Sequence, residues 1–188
     1  MVPLPTLTRR GASKRLAFVP VSFYETPMSS APSPCFNDAP LAAQDVARGV
    51  TRLFFNQDMF ALCEVPLPNG RRADMMGIDS SGLITIVEIK VSRADLLGDG
   101  KWLDYLGYCD RVFWAVPAGF DLSPFEQDCF HPGVCGLLVA DRYDAAVLRE
   151  PALRRLSPAR RKAETLRFAR RAARRLVGDL DPGLAGFV

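Results

Sequence analysis

The chain of 188 residues has only one histidine, His131, and its five cysteines, at 35, 63, 109, 129 and 135, form no CxxC pair. A zinc cluster or a disulfide framework is therefore not expected. Cys63, Cys109 and Cys135 lie among apolar residues, where a free thiol packs as a small hydrophobe, and this points to a reducing, cytoplasmic compartment. Long apolar runs are missing too: nothing approaches the roughly 18 consecutive residues a membrane helix needs, so no membrane partner is expected. The run from Leu16 to Val21 after Arg9, Arg10, Lys14 and Arg15 is short, broken by Pro20 and without a convincing cleavage site, which argues against a signal peptide. No glycine-rich phosphate loop supports a nucleotide hydrolase. The net charge is only +3, so the distribution of charge must carry any argument about partners.

That distribution is uneven. Eleven arginines and lysines fall between Arg149 and Arg175, against only Glu150 and Glu164. Pro158 suits a helix start, and the stretch reads as a basic helix running to about Val177 and ending at Gly178. Its cations, among them Arg160, Arg161, Lys162, Arg167 and Arg171, have the footprint expected for phosphate contacts along a DNA backbone. The other reading is a solvated basic face packed by its apolar side. Seven prolines crowd residues 1 to 40, a composition that predicts a flexible leader. One domain over residues 41–178 and a tail over 179–188 account for the rest, since the chain can bury one real core but not two.

Helical spacing from Leu41 through residue 61 predicts a first helix. An apolar run at 62–67, the stretch 72–79 and the β-rich segment 83–91 predict three strands in a meander. Ser92 and Asp95 resemble a capping box opening a helix that Asp99-Gly100 restarts or continues through about Tyr108. Further strands are expected at 111–116, 134–140 and 145–149, giving an α/β protein with a central mixed sheet of four or five strands flanked by helices.

The chemistry concentrates in Arg71-Arg72-Ala73-Asp74 and Val87-Glu88-Ile89-Lys90. On a strand Glu88 and Lys90 share one face while Val87 and Ile89 share the other. A three-residue turn, Ser80-Ser81-Gly82, would pair Asp79 with Leu83 and so set Asp74 opposite Glu88 and Arg72 opposite Lys90. Two carboxylates then meet on one face as a natural divalent-cation site, and Lys90 would orient a bound water or stabilise developing charge during phosphodiester hydrolysis. A two-residue loop would put the carboxylates on opposite faces. An ordinary ion pair at a strand end is the other alternative. Glu64, placed just before the first strand, is a secondary metal candidate. Asp95 and Asp99 fit capping roles, and Trp102 and His131 fit core and loop positions.

The order helix, strand, Asp74, strand, Glu88-Ile89-Lys90, helix, strand resembles the restriction-endonuclease-like core of the PD-(D/E)XK nuclease superfamily. Lys101 and Tyr105, four residues apart, resemble the QxxxY element of RecB-like members, with lysine in place of glutamine, which implies a phosphate-binding role. From about Val46 to Leu176 the chain is similar to the MmcB family of DNA repair proteins. Arg48-Gly49, Gly70 to Asp74, Val87 to Asp95, Gly98 to Trp102, Tyr105-Leu106, Cys109-Asp110, Gly136-Leu137, Ala140-Asp141 and Ala159 to Lys162 carry that similarity. The resemblance implies a Mg²⁺- or Mn²⁺-dependent DNA endonuclease with Asp74, Glu88 and Lys90 as catalytic residues, associated with the nucleoid. DNA and repair or translesion-synthesis proteins are the implied partners, and a homodimer is left open. A non-catalytic DNA-binding or adaptor protein on the same fold is the rival reading.

Overall fold

A computed structural model describes residues 41–97 and 101–187. The leader and Asp99 lie outside the described residues. The first helix, α1 (Ala43–Asn56), is shorter than its spacing predicts. Asp58 has a φ of 56°, which ends helical propagation, and Met59 opens the first strand instead. The N-terminus of α1 is held by the Asp45 carboxylate, which accepts from the Ala42 amide at 3.1 Å.

Strands β1 (Met59–Pro66), β2 (Arg72–Asp79) and β3 (Ile84–Ile89) form the antiparallel meander. Beyond them β4 (Arg111–Pro117) and β5 (Gly136–Ala140) add in parallel, and β6 (Ala145–Arg149) closes the far edge antiparallel. The mixed sheet thus has six strands, in the order of the chain, where the sequence suggested four or five. Parallel neighbours need a crossover. Residues 90–110 and 118–135 supply the two crossovers, using short helical turns in place of a long helix.

The helical segment expected from Ser92 to about Tyr108 takes the restarted form and not the continuous one, in shorter pieces than expected. A five-residue helix, α2 (Arg93–Leu97), is followed by a 3₁₀ turn at Lys101–Tyr105. The basic helix α3 (Pro158–Leu180) begins where expected. The Ser157 hydroxyl accepts from the Arg160 amide, and Pro158 occupies the first turn. It continues through Gly178 to Leu180, so that glycine does not end it.

The sheet separates two apolar layers. Val46, Val50 and Phe54 of α1 pack with Met75, Val87, Ile89 and Phe113 on one face. Ile84, Ile86, Trp114, Phe125, Trp102 and Tyr105 pack on the other, where Phe168 of α3 joins them. All six residues of β3 are buried, so its alternation divides them cleanly between the layers. Each large side chain so buried contributes about 1.5–3 kcal/mol of transfer free energy. Gly49 is required where α1 crosses the β5–β6 turn: a Cβ there would lie 2.2 Å from the Asp141 carbonyl oxygen.

Candidate active site

The turn between β2 and β3 sets the site. Gly82 adopts a φ of 78°, the Asp79 amide donates to the Leu83 carbonyl at 3.1 Å, and the Asp79 carboxylate accepts from the amides of Ser81 and Leu83. From this turn the register runs Ile78 to Ile84, Gly77 to Thr85, Met76 to Ile86 and Met75 to Val87. The next pair in that register is Asp74 with Glu88. Here side chains take over from the backbone ladder: the Asp74 amide donates to Glu88 Oε1 at 3.4 Å, and the Ile89 amide donates to Asp74 Oδ2 at 2.8 Å. The sequence thus brings two carboxylates together on the face of β3 away from α1.

Lys90 lies on that face immediately after β3 and is only 5% exposed. Its Nζ is 4.0 Å from Glu88 Oε2, 3.7 Å from Asp95 Oδ1 and 6.0 Å from the centre of the Trp114 ring. The Asp95 amide donates to Ser92 Oγ, so Ser92 caps α2 and the Asp95 carboxylate is left to face the lysine. Sequence reasoning placed Asp95 next to the site but favoured a capping role for it, and its carboxylate instead faces Lys90. Tyr105 is 3% exposed; its hydroxyl donates a hydrogen bond to Glu88 and lies 3.4 Å from the Arg72 carbonyl oxygen.

Burial sets the electrostatics. It pushes Glu88 up to about 8, with the neighbouring Asp74 charge adding to the effect and Lys90 and Tyr105 opposing it. Burial also raises Asp74, against the hydrogen bond from Ile89 and the charge of Lys90. The pair is therefore short of positive charge, although a lysine stands beside it.

These residues line a cavity of about 870 Å³, together with Arg48, Cys63, Glu64, Arg71 and Arg72. Glu64 lies within β1 and not before it, and it is one of the few non-glycine residues with positive φ, at 53°. Its carboxylate binds Arg72 at 2.5 Å, with both side chains exposed. Arg72 thus turns to Glu64 and not to Lys90. The side chain of Lys101 lies outside the described residues.

The cations of α3 divide into two groups. Arg161 is held by Asp110: its two terminal nitrogens reach the carboxylate at 2.8 and 2.5 Å, and it also donates to the Gly82 carbonyl. Asp110 accepts further bonds from the Ile84 and Leu156 amides and has no exposed side-chain surface. Burial opposes its ionisation, but these bonds outweigh burial and hold it below its ordinary value. The expectation of a phosphate contact from Arg161 is corrected accordingly, because its guanidinium anchors α3 to the sheet. Arg160 and Arg167 both bind the buried Glu164, and Arg160 also lies over the Tyr108 ring. Lys162 is exposed. Burial lowers Arg171, as do the charges of Arg175 and Arg174. Arg175 donates to the carbonyls of Cys63 and Glu64, which brings the far end of α3 to the cavity wall.

Fold and site together define a mixed α/β protein with two carboxylates and a lysine converging in a cavity at the ends of β2 and β3. Residues 36–182 match the model of the MmcB-like DNA repair proteins, and the chain belongs to that family. It is also similar to the solved structure of the SPO1766 protein of unknown function from Silicibacter pomeroyi, with 41% identity and a TM-score of 0.68 over 79% of this chain and 96% of the other. No curated protein matches the chain. Among the described residues no helix is long and apolar enough to cross a membrane.

Proposed function

We propose that this cavity hydrolyses phosphodiester bonds in DNA, as a repair endonuclease of the PD-(D/E)XK type. The observation that carries the reading is the convergence of Asp74, Glu88 and Lys90 in one cavity that Arg48, Arg71 and Arg72 also line.

The donor set suits Mg²⁺ or Mn²⁺. Both side chains offer hard oxygen atoms, the Asp74 charge disfavours ionisation of Glu88, and the cavity is open to water. This matches an ion that keeps several of its waters and takes one or two carboxylates. Asp74 and Glu88 would hold it, with Glu64 at the rim available if Arg72 lets go. Such an ion supplies charge neutralisation at a phosphate and lowers the pKa of a bound water. Lys90, held among Glu88, Asp95 and Trp114, donates hydrogen bonds toward the attacking water or the phosphoryl oxygens. Tyr105 fixes the Glu88 carboxylate. Arg72 makes only an exposed ion pair, worth about 1 kcal/mol or less, so it can exchange Glu64 for a phosphate at little cost. Lys162 and Arg171, with the outward parts of Arg160 and Arg167, offer backbone contacts along α3.

The test is cleavage of labelled single-stranded, duplex, nicked and flapped DNA with Mg²⁺ or Mn²⁺, comparing the wild type with Asp74→Ala and Lys90→Ala. Cutting by the wild type alone is the expected result. Binding without any cutting by the wild type would replace the enzyme with a DNA-binding adaptor.

A further inference from the structure

A second, shallower groove of about 450 Å³ lies beside the cavity, lined by Thr51, Arg52, Phe55, Tyr143 and neighbouring residues. Thr51 also lines the first cavity, so the two depressions adjoin on the outer face of α1. Gln44, Arg48, Thr51, Arg52 and Phe55 recur at helical spacing along that face, and all are exposed. The face carries two cations and no acid, because Asp45, the one acid of α1, is turned to Arg142 at 3.6 Å. Asp144 stands at the far rim.

At the end of α1 the chemistry changes from cationic to aromatic. Phe55 is 66% exposed and Tyr143 63%, both far above what a ring of their size costs in water unless it has a partner to cover it. Phe60, 56% exposed, meets Phe55 edge to face with ring centres 5.9 Å apart, which fixes the Phe55 ring. Arg52 Nη1 donates to the Tyr143 carbonyl at 3.2 Å and so ties the β5–β6 turn to α1. From Arg48 to Phe55 the helix rises about 10 Å.

We propose that this depression binds a single-stranded segment of DNA leading out of the cavity, with Arg48 and Arg52 on its phosphates and the rings of Phe55 and Tyr143 stacked on its bases. The inference rests on the reading of the cavity as a site for DNA, and it specifies the substrate as one with an unpaired strand next to the reacting phosphate. A groove that sets exposed rings next to cations is what unpaired nucleic acid requires, since every base has a face to stack and every linkage a charge. Duplex DNA offers no free base faces to these rings, and an acidic peptide would have no use for them at this spacing.

The test measures binding without metal, so that it is independent of cleavage. The probe is a labelled oligothymidine of about 12 nucleotides, within the range of single-strand site sizes, with the matching duplex as control. Phe55→Ser and Tyr143→Ser should each weaken binding of the single strand at least about fivefold and leave duplex binding unchanged. In a Tyr143→Trp variant the new indole should be quenched by the oligonucleotide, whereas Trp102 and Trp114 are buried and stay silent. Equal affinity of both serine variants and wild type for the single strand overturns the proposal, and so does an equal loss for single strand and duplex. A protein that shows the predicted single-strand losses but cuts nothing keeps this inference and removes the hydrolytic reading of the cavity.

Discussion

Asp110 and Glu88 are buried acids that each face a cation, with opposite results. Asp110 has both oxygens occupied by Arg161 and two backbone amides at 2.5–2.8 Å, and it ionises more readily than a carboxylate in water. Glu88 has Lys90 only at 4.0 Å, Asp74 as a neighbour and few donors, and its proton is held up to about 8. Arginine's fork closes the first pair, and lysine's single point charge, shared with Asp95, leaves the second open. A closed pair contributes to folding. An open one leaves its charge unbalanced, and perturbed acids in cavities cluster at functional sites.

The largest expected effect lies on the open side. Glu88→Gln should reduce DNA cleavage to background while the folded protein gains stability at pH 8, as measured by cleavage assay and thermal melting. If activity and stability fell together, Glu88 would be a structural residue like Asp110. Next comes the closed pair. Asp110→Ala leaves two amides without an acceptor and Arg161 with only the Gly82 carbonyl, and should cost about 3–5 kcal/mol in a denaturant titration. If the loss were under about 1 kcal/mol, the anchor would lie elsewhere.

The two acids should also bend the pH dependence in opposite directions. The folded-state pKa of Glu88 lies above its unfolded value, so the native state binds the extra proton between about 4.5 and 8. Stability should therefore fall as pH rises through that window in metal-free protein, and Glu88→Gln should remove the slope. Asp110 is depressed, so its contribution is present above its unfolded value and is lost as pH falls through the lower folded one. The smallest effect concerns the turn that aligns the open pair. Gly82→Ala forces a side chain into a φ of 78° and should cost roughly 1 kcal/mol, with no change in the register observed by cross-strand nuclear Overhauser contacts.

Much of the site's frame was legible in the chain because period-two alternation and a glycine turn are local signals. Ser80-Ser81-Gly82 placed Asp79 against Leu83, and everything back to Asp74 followed by counting. The α1 face was legible only in part, since Met59 fits a helical period as well as it fits a strand start. The left-handed backbone of Glu64 and the break of the segment after Ser92 depend on packing that no spacing reports. Charge was read least well. Eleven cations in a row look alike in one dimension, but Asp110 and Glu164 select Arg161, Arg160 and Arg167 from among them through folding. Asp110 itself gave no sign of its place, as a single acid between Cys109 and Arg111.

The left-handed Glu64 has a consequence for the protein's conduct in a crowded solution. β1 is an edge of the sheet, and an open edge is a template on which another chain can add a strand. Here the row of peptide groups is interrupted at Glu64, and Arg175 already occupies the carbonyls of Cys63 and Glu64. The edge is blunted where it borders the cavity, so a strand adding along β1 would meet an interrupted ladder and two carbonyls already taken.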